Sequence, residues 1–307
     1  MNAMIPGGLD RNGIDQRGEE LAAAGLDARA VHALIDCALA EDLAGGVDVT
    51  TIATVPASQR SRLDLTSRVT GIVAGVPVAA LVFQIVAAQA RGVVEITEYR
   101  SDGDRVTPGV VVLSIVGRTR ELLTAERTAL NLIGHLSGVA TATAAWVGAL
   151  GDSKTQVRDT RKTTPGLRSM EKYAVRCGGG LNHRMALSDA ALVKDNHVVA
   201  AGGVAQAFTA VREQFPGVPV EVEVDSIDQL AAVVAAGADL VLLDNFTIEQ
   251  MVEAASIVDG RVLLEASGGL TLADAPAVGA TGVDYVAVGA LTHSAPVLDI
   301  GADLTSL

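Results

Sequence analysis

The chain has 307 residues, of which 49% are hydrophobic and only 3% aromatic, and its formal charge is −13 at pH 7. That acidity excludes a protein that works by spreading positive charge over nucleic acid, and a core of mostly Val, Ala, Leu and Ile suits buried parallel strands wrapped by Ala-rich helices. The two cysteines, Cys37 and Cys177, match no metal-ligand spacing and read as free thiols of a reducing, cytoplasmic compartment. Along the chain, the first twenty residues contain no apolar stretch of the kind found in a secretory signal. Their Gly, Asp and Asn content predicts a disordered leader over residues 1–28. A helix is predicted over about 28–43, with Ala30, Leu34, Cys37, Ala38 and Leu39 on one stripe. GGVDVTT follows as a turn into an exposed segment. Residues 62–74 alternate as a strand, and Pro77 opens a helix that runs to about Ala90. Residues 93–123 read as strands joined by SDGD and TPG turns, and residues 124–150 as helical.

Two uncharged stretches, 71–90 and 128–151, are long enough to test as membrane spans. Pro77 leaves too short an apolar run in the first, and Asn131, His135 and several hydroxyls interrupt the second, so both are read as buried segments of a soluble protein. The SDGDRVTPGVVVLSIVG pattern is similar to that of lipoyl or biotinyl carrier domains. Such a module presents a lysine at a hairpin tip, and no lysine occurs before Lys154.

The second half has a different rhythm. Strand-like runs fall at 155–160, 190–194, 220–224, 240–244, 262–266 and 285–289, and amphipathic Ala-rich segments separate the later ones at about 200–214, 226–237, 247–258 and 271–280. Ser226 with Gln229 and Thr247 with Gln250 have capping-box spacing, marking helix starts just after strands. Strand and helix alternating over this length predict parallel βαβ units, and six strands favour a barrel short of eight over an open sheet. No G-x-G-x-x-G follows any of these strands, so a dinucleotide fold is not expected.

Polar residues recur at the C-terminal ends of these strands: Arg161 and Lys162; Lys194, Asp195 and Asn196; Glu223 and Asp225; Asp244 and Asn245; Ser267, Gly268 and Gly269; and Gly289. One charged strand end is an ordinary solvated rim, but six in series predict a site at the C-terminal mouth of a parallel barrel. Residues 154–197 hold nine basic and four acidic residues in an otherwise strongly acidic chain, which suits a pocket for a small, highly anionic ligand. His183 and Arg184, after three glycines, belong to that window. Glu223 and Asp244, on adjacent strand ends, could hold a hard cation such as Mg²⁺ together with ligand phosphates. No His/Cys cluster argues for zinc. The SGG and VAVGA turns offer backbone N–H groups to a phosphate. Arg127, on a predicted helix, has no role by itself.

On ERTALNLIGHLSG, RDTRKTTPGLR, GGGLNHR, VKDNH, EVEVDS, LLDNF, SGG and DYVAVGALTHS, which run in this order to the C-terminus, the chain resembles the quinolinate phosphoribosyltransferases. The resemblance implies an N-terminal α/β sandwich domain, placed at 29–130, and a C-terminal incomplete α/β barrel at 131–307, with the last residues free to pack on the first domain. It implies transfer of phosphoribosyl from phosphoribosyl pyrophosphate to quinolinate with decarboxylation, giving nicotinate mononucleotide, pyrophosphate and CO₂, with Mg²⁺ as cofactor. Arg161, Lys162, His183, Arg184 and Lys194 would form the cationic pocket, with Lys162, Glu223 and Asp244 catalytic. Glu223 and Asp244 would face the ribose and its metal, directly or through water or substrate. Ser267, Gly268, Gly269 and Gly289 would bind phosphate. Arg127 would come from the neighbouring subunit of a homodimer. Three rival readings compete: a sister phosphoribosyltransferase acting on nicotinate or another small acid without decarboxylation, an aldolase or isomerase using Lys194 as a Schiff base, and a non-catalytic binding module.

Overall fold

A computed structural model describes residues 11–307, which fall into two compact units. One contains the chain up to Thr141 together with 169–178 and 295–307; the other contains 142–168 and 179–294.

The first unit opens with α1 (Arg11–Ala23), α2 (Ala28–Leu43), α3 (Val49–Thr54), β1 (Arg60–Ser67), β2 (Gly71–Ile72), α4 (Val76–Gln89), β3 (Glu95–Glu98), β4 (Arg105–Val106) and β5 (Val111–Arg118). The predicted disordered leader is corrected for residues 11–28, while residues 1–10 lie outside the described residues. Leu21 is fully buried, Leu26 nearly so, and Arg17 pairs with Glu98, all of which tie α1 to the unit. Asp27 then caps α2 by accepting from the Arg29 and Ala30 N–H groups. The composition of the leader hid this, because its anchors lie at its C-terminal end. Helix α2 has the predicted span, but its buried stripe is Val31, Ile35 and Leu39, displaced from the predicted one so that Cys37 is exposed. GGVDVTT, predicted as a turn, contains the start of α3, capped by Asp48.

Helix α4 is apolar nearly all round because it is buried nearly all round, in contact with β5, α1 and α2. Asp102 receives the N–H groups of Gly75 and Val76 at its start, both at 2.9 Å. The expected strand-to-helix change at 123/124 comes earlier, since α5 runs unbroken from Thr119 to Leu150. The boundary between units falls inside this helix, after Thr141 rather than at 130/131. By length and composition α5 could cross a membrane, but half of its most apolar window is buried within the protein.

The chain continues through β6 (Gln156–Arg158), α6 (Arg168–Cys177), β7 (Ala191–Val193), α7 (Asp195–Ala201), α8 (Val204–Gln214), β8 (Val220–Val224), α9 (Ile227–Ala235), β9 (Leu240–Asp244), α10 (Ile248–Val258), β10 (Leu263–Ser267), α11 (Ala275–Gly279), β11 (Tyr285–Ala287), α12 (Ala290–His293) and β12 (Ile300–Ser306). Strand β12 belongs to the first unit, where it pairs antiparallel with β1 in a sheet of order β12-β1-β5-β3.

The sheet of the second unit has the order β6-β11-β10-β9-β8-β7, and every pair in it is parallel. The winding never reverses, as it would in a doubly wound sheet. Strand β6, first of these six in chain order, pairs with the last of them, β11, and the two edges of the sheet are β6 and β7. This is a six-stranded barrel with one seam open. Its interior face is set by period 2: the register aligns Glu221 with Leu192, Glu223 with Leu242, Leu242 with Glu265, Asp244 with Ser267, and Ala287 with Arg158. The valines of β8 face outward, so the Glu221–Glu223 face is the barrel interior and not a solvated surface.

Candidate active site

At the C-terminal ends of the barrel strands lies a cavity of about 420 Å³ lined by Thr160, Arg161, Lys162, His183, Arg184, Leu192, Lys194, Glu223, Leu242, Asp244, Glu265, Ser267 and Ala287. Eight predicted site residues thus meet there: Arg161, Lys162, His183, Arg184, Lys194, Glu223, Asp244 and Ser267. A second cavity, of about 510 Å³, is lined mainly by Ala, Val and Leu from β7, α7 and α8, with Arg184 and His197 as its ionisable groups, and offers little chemistry.

The basic window divides in a way its charge count does not reveal. Arg161, Lys162 and Arg184 line the cavity. Arg158 pairs with Glu265 below it. Arg168 is held by Thr163 Oγ1 at 3.0 Å and the Met185 carbonyl at 3.2 Å. Lys172 and Arg176 lie on α6 in the first unit, Lys172 fully buried and Arg176 donating to the Ala24 carbonyl. Fewer than half of the seven cations between 158 and 184 therefore serve the mouth.

Those that do are held from behind. The Thr160 hydroxyl accepts from the Lys162 N–H at 3.0 Å, and Thr292 Oγ1 donates to the Lys162 carbonyl at 2.8 Å. A Cβ on Gly289 would stand 3.1 Å from Lys162 Cδ and 3.4 Å from Thr160 Oγ1, so glycine lets this turn close against the lysine. Arg184 donates to the Ala190 carbonyl at 2.9 Å. The Nε groups of Arg161 and Arg184 are buried without a partner. Burial, and then the nearby Arg161 charge, lower the pKa of Arg184. Two guanidinium groups with unmet donors and mutual repulsion form a site that an anion stabilises.

The acids stand opposite. Glu223 is half-buried and 3.4 Å from Lys194 Nζ. Burial raises its pKa, Lys194 opposes that, and the charge of Asp244 adds to it. Asp244 accepts from the Asn245 side chain at 2.8 Å. The turn after β10 folds over Asn245, whose N–H donates to the Ser267 carbonyl. Gly268 (φ +99°) and Gly269 (φ +61°) are both left-handed, and at Gly268 a Cβ would fall 2.2 Å from Asn245 Oδ1. Gly268, Gly269 and Gly289 adjoin the cavity without lining it. Arg127 is exposed on α5 in the first unit and is not among the lining residues.

Three interior groups were missed as site residues: Glu221, Glu265 and Asp159. Glu265 and Glu221 are buried against His183, and Asp159 accepts from the His183 N–H at 2.9 Å and the Asn182 side chain at 2.6 Å. Period 2 carried one step further along VEVEV and LLEAS would have placed both glutamates inside the barrel.

A singly wound, incomplete parallel barrel with cations and carboxylates converging at its C-terminal mouth defines an enzyme that acts on small anionic substrates. Residues 48–137 match the family "Quinolinate phosphoribosyl transferase, N-terminal domain", and residues 139–303 match its "C-terminal domain". The chain belongs to the quinolinate phosphoribosyltransferase family. It is 52% identical over 275 residues to the nicotinate-nucleotide pyrophosphorylase [carboxylating] of Mycobacterium leprae, covering 87% of this chain and 94% of that one. It is 36% identical over 286 residues to the quinolinate phosphoribosyltransferase [decarboxylating] 1b of Nicotiana tabacum, covering 87% and 80%. The crystal structure of NadC from Streptococcus pyogenes superposes with a TM-score of 0.85 at 42% identity, covering 90% of this chain and 97% of that one.

Proposed function

We propose that the cavity binds quinolinate and phosphoribosyl pyrophosphate and joins them with loss of CO₂, giving nicotinate mononucleotide and pyrophosphate for NAD synthesis. The observation that carries this reading is the pair of guanidinium groups, Arg161 and Arg184, with buried unpartnered Nε donors in one cavity with Lys162 and Lys194. Quinolinate brings two carboxylates, and its partner brings a phosphate and a pyrophosphate. Guanidinium forks bind carboxylates bidentately, whereas the lysines act as point charges. Lys162, whose backbone Thr160 and Thr292 hold, would stabilise the charge that grows on departing pyrophosphate. The Ser267–Gly268–Gly269 turn and Gly289 offer close backbone approach to phosphate.

Glu223 and Asp244 fit an oxygen-seeking divalent cation, because they are two carboxylates on neighbouring strand ends whose charges already oppose each other. Mg²⁺ held there, directly or through water and substrate oxygens, would supply Lewis-acid screening of the pyrophosphate. The ring nitrogen of quinolinate attacks the anomeric carbon as pyrophosphate leaves. N-ribosylation makes that nitrogen cationic, which stabilises the carbanion left when the adjacent carboxylate departs as CO₂. A proton then completes C2. No nucleophilic side chain is required, and positioning and electrostatics carry the rate.

The same reading makes the protein a cytoplasmic homodimer with each site shared: Arg127, exposed on α5, is supplied to the site of a second copy. A monomer with full activity in light scattering overturns that part. Product analysis tests the activity itself. Nicotinate mononucleotide formed from quinolinate and phosphoribosyl pyrophosphate, but not from nicotinate, is the expected result. The reverse preference would assign the fold to the sister reaction.

A further inference from the structure

Arg161 and Arg184 lie on different segments of the chain, carry like charges and face one cavity. Like charges push their segments apart, so the protein must hold those segments together before any anion arrives. Ties of this kind lie on both sides of Arg161. Two residues before it, the wholly buried Asp159 accepts from the His183 N–H at 2.9 Å and from the Asn182 side chain at 2.6 Å. The backbone adds a parallel bridge there. The Leu181 N–H donates to the Val157 carbonyl at 2.8 Å, and the Asp159 N–H donates to the Leu181 carbonyl at 3.2 Å. The segment before Arg184 therefore docks on the edge of β6 that β11 leaves free.

On the other side the tie is Arg168. Its Nε donates to Thr163 Oγ1 at 3.0 Å, and its Nη1 donates to the Met185 carbonyl at 3.2 Å. Thr163 Oγ1 in turn donates to the Arg161 carbonyl at 3.5 Å. Thr163 lies two residues past Arg161, and Met185 directly follows Arg184. One planar guanidinium thus spans the two segments with a donor on each, which a single ammonium point charge does not reproduce. Arg184 is also tied to the Ala190 carbonyl, and Asp189 accepts from the Met185 and Ala186 N–H groups. Those partners belong to the Arg184 segment itself and leave its distance from Arg161 unset. Arg168 does not line the cavity.

We propose that Arg168 is a positioning residue that fixes the spacing of Arg161 and Arg184, so that the pair prefers a rigid diacid over an acid with one carboxylate. Taking the diacid as quinolinate rests on the function proposed above; the strap across the two segments does not. Quinolinate carries its carboxylates on adjacent ring carbons and cannot change their separation, so the protein must hold two like charges at the matching distance. With the strap cut, the pair relaxes apart, and the diacid must draw it back. An acid with one carboxylate needs only one guanidinium in place. Arg168 therefore sets a preference as well as an affinity.

Calorimetry with quinolinate and with nicotinate tests this on the wild type, Arg168→Ala, Thr163→Val and Thr163→Ser. In Arg168→Ala the quinolinate Kd is expected to rise about tenfold or more, as for one lost charge-assisted hydrogen bond, while the nicotinate Kd changes much less. Thr163→Val keeps the shape but removes the acceptor on the Arg161 side, and is expected to lower the preference in the same direction. Thr163→Ser keeps the hydroxyl and is expected to retain it. Steady-state kinetics should place the loss in the quinolinate KM, with kcat little changed. Equal losses for both acids in a folded Arg168→Ala, the mark of a general structural role, overturn the proposal, and so do unchanged affinities. Should Arg168→Ala not fold, the Thr163 pair decides, and the same preference in the Val and Ser variants overturns it.

Hydrogen–deuterium exchange reads the strap without any ligand. The Thr163 N–H, bonded to the Arg161 carbonyl at 3.0 Å, and the Met185 N–H, bonded to Asp189 at 2.6 Å, report on the two segments. Both are expected to exchange faster in Arg168→Ala and Thr163→Val and at the wild-type rate in Thr163→Ser. Unchanged exchange in the first two variants overturns the proposal. A wild type that binds no quinolinate while these variants exchange faster refutes the functional reading alone.

Discussion

Replacing Gly268 with alanine would place a Cβ 2.2 Å from Asn245 Oδ1 and 2.8 Å from the Asn245 backbone nitrogen. The side-chain oxygen can swing aside. The backbone nitrogen cannot, because it is tied to the Ser267 carbonyl at 2.9 Å and sits in a left-handed conformation of its own (φ +56°). A left-handed alanine costs about 1–2 kcal/mol, and the strained Asn245–Ser267 hydrogen bond puts about another 1 kcal/mol at risk. Gly269→Ala supplies the control: its φ is also positive, at +61°, but nothing lies within 4 Å of its Cβ, so only the conformational cost of about 1 kcal/mol applies. Urea unfolding is expected to separate the two alanines by at least about 1 kcal/mol, with Gly268→Ala the weaker. The KM for phosphoribosyl pyrophosphate should rise in Gly268→Ala as the turn shifts. Equal stabilities for the two variants would refute the steric reasoning, because only Gly268→Ala meets the Asn245 backbone.

Other outcomes follow from the cations, the acids and a helix cap. Arg184→Lys loses the planar fork whose Nε has no protein partner, and should raise the quinolinate KM about 10–100-fold with a smaller change in kcat, as steady-state kinetics will show. Glu223→Gln should lower kcat by about 10²–10³ and shift Mg²⁺ saturation upward while calorimetry finds quinolinate binding nearly intact; wild-type turnover would remove Glu223 from the chemistry. Asp48 accepts the Thr51 N–H at 2.9 Å at the start of α3, and its hydrogen bonds to Thr51 lower its pKa. Its contribution, about 1 kcal/mol, is present above the ordinary aspartate pKa of about 3.9 and is lost as pH falls through the lower folded-state value. The stability gap between wild type and Asp48→Ala should therefore close in strong acid, and a gap independent of pH would contradict it.

Much of the barrel was legible because its signals are local. Each parallel strand is a short apolar run ended by a polar residue, and Thr247 with Gln250 forms both halves of its capping box, at 3.2 and 2.9 Å. Ser226 shows the limit of spacing alone: its side chain caps nothing, and Gln229 accepts from the Asp225 N–H instead. Non-local features were not readable. The pairing of β12 with β1 joins residues more than 230 apart in sequence, and α6 leaves the basic window for the first unit. Period 2 puts Glu265 inside the barrel, but only the register with β9 and β11 and the approach of Arg158 and His183 show what it meets there. The gathering of Arg161, Lys162 and Lys194 was legible because all three follow strand ends, whereas Arg184 was flagged by the basic window after three glycines. The burial of the unmet Nε donors of Arg161 and Arg184 was not legible, since it depends on what packs behind them.

The measurement that tests the central claim most directly is CO₂ release from quinolinate labelled at its C2 carboxylate. Phosphoribosyl pyrophosphate and Mg²⁺ are supplied together, and each is omitted in turn. The account predicts labelled CO₂ only when all components are present, in step with nicotinate mononucleotide. Mononucleotide formed from nicotinate without labelled CO₂ from quinolinate would contradict it, leaving the cationic mouth in place and assigning its two guanidinium groups to a different acid.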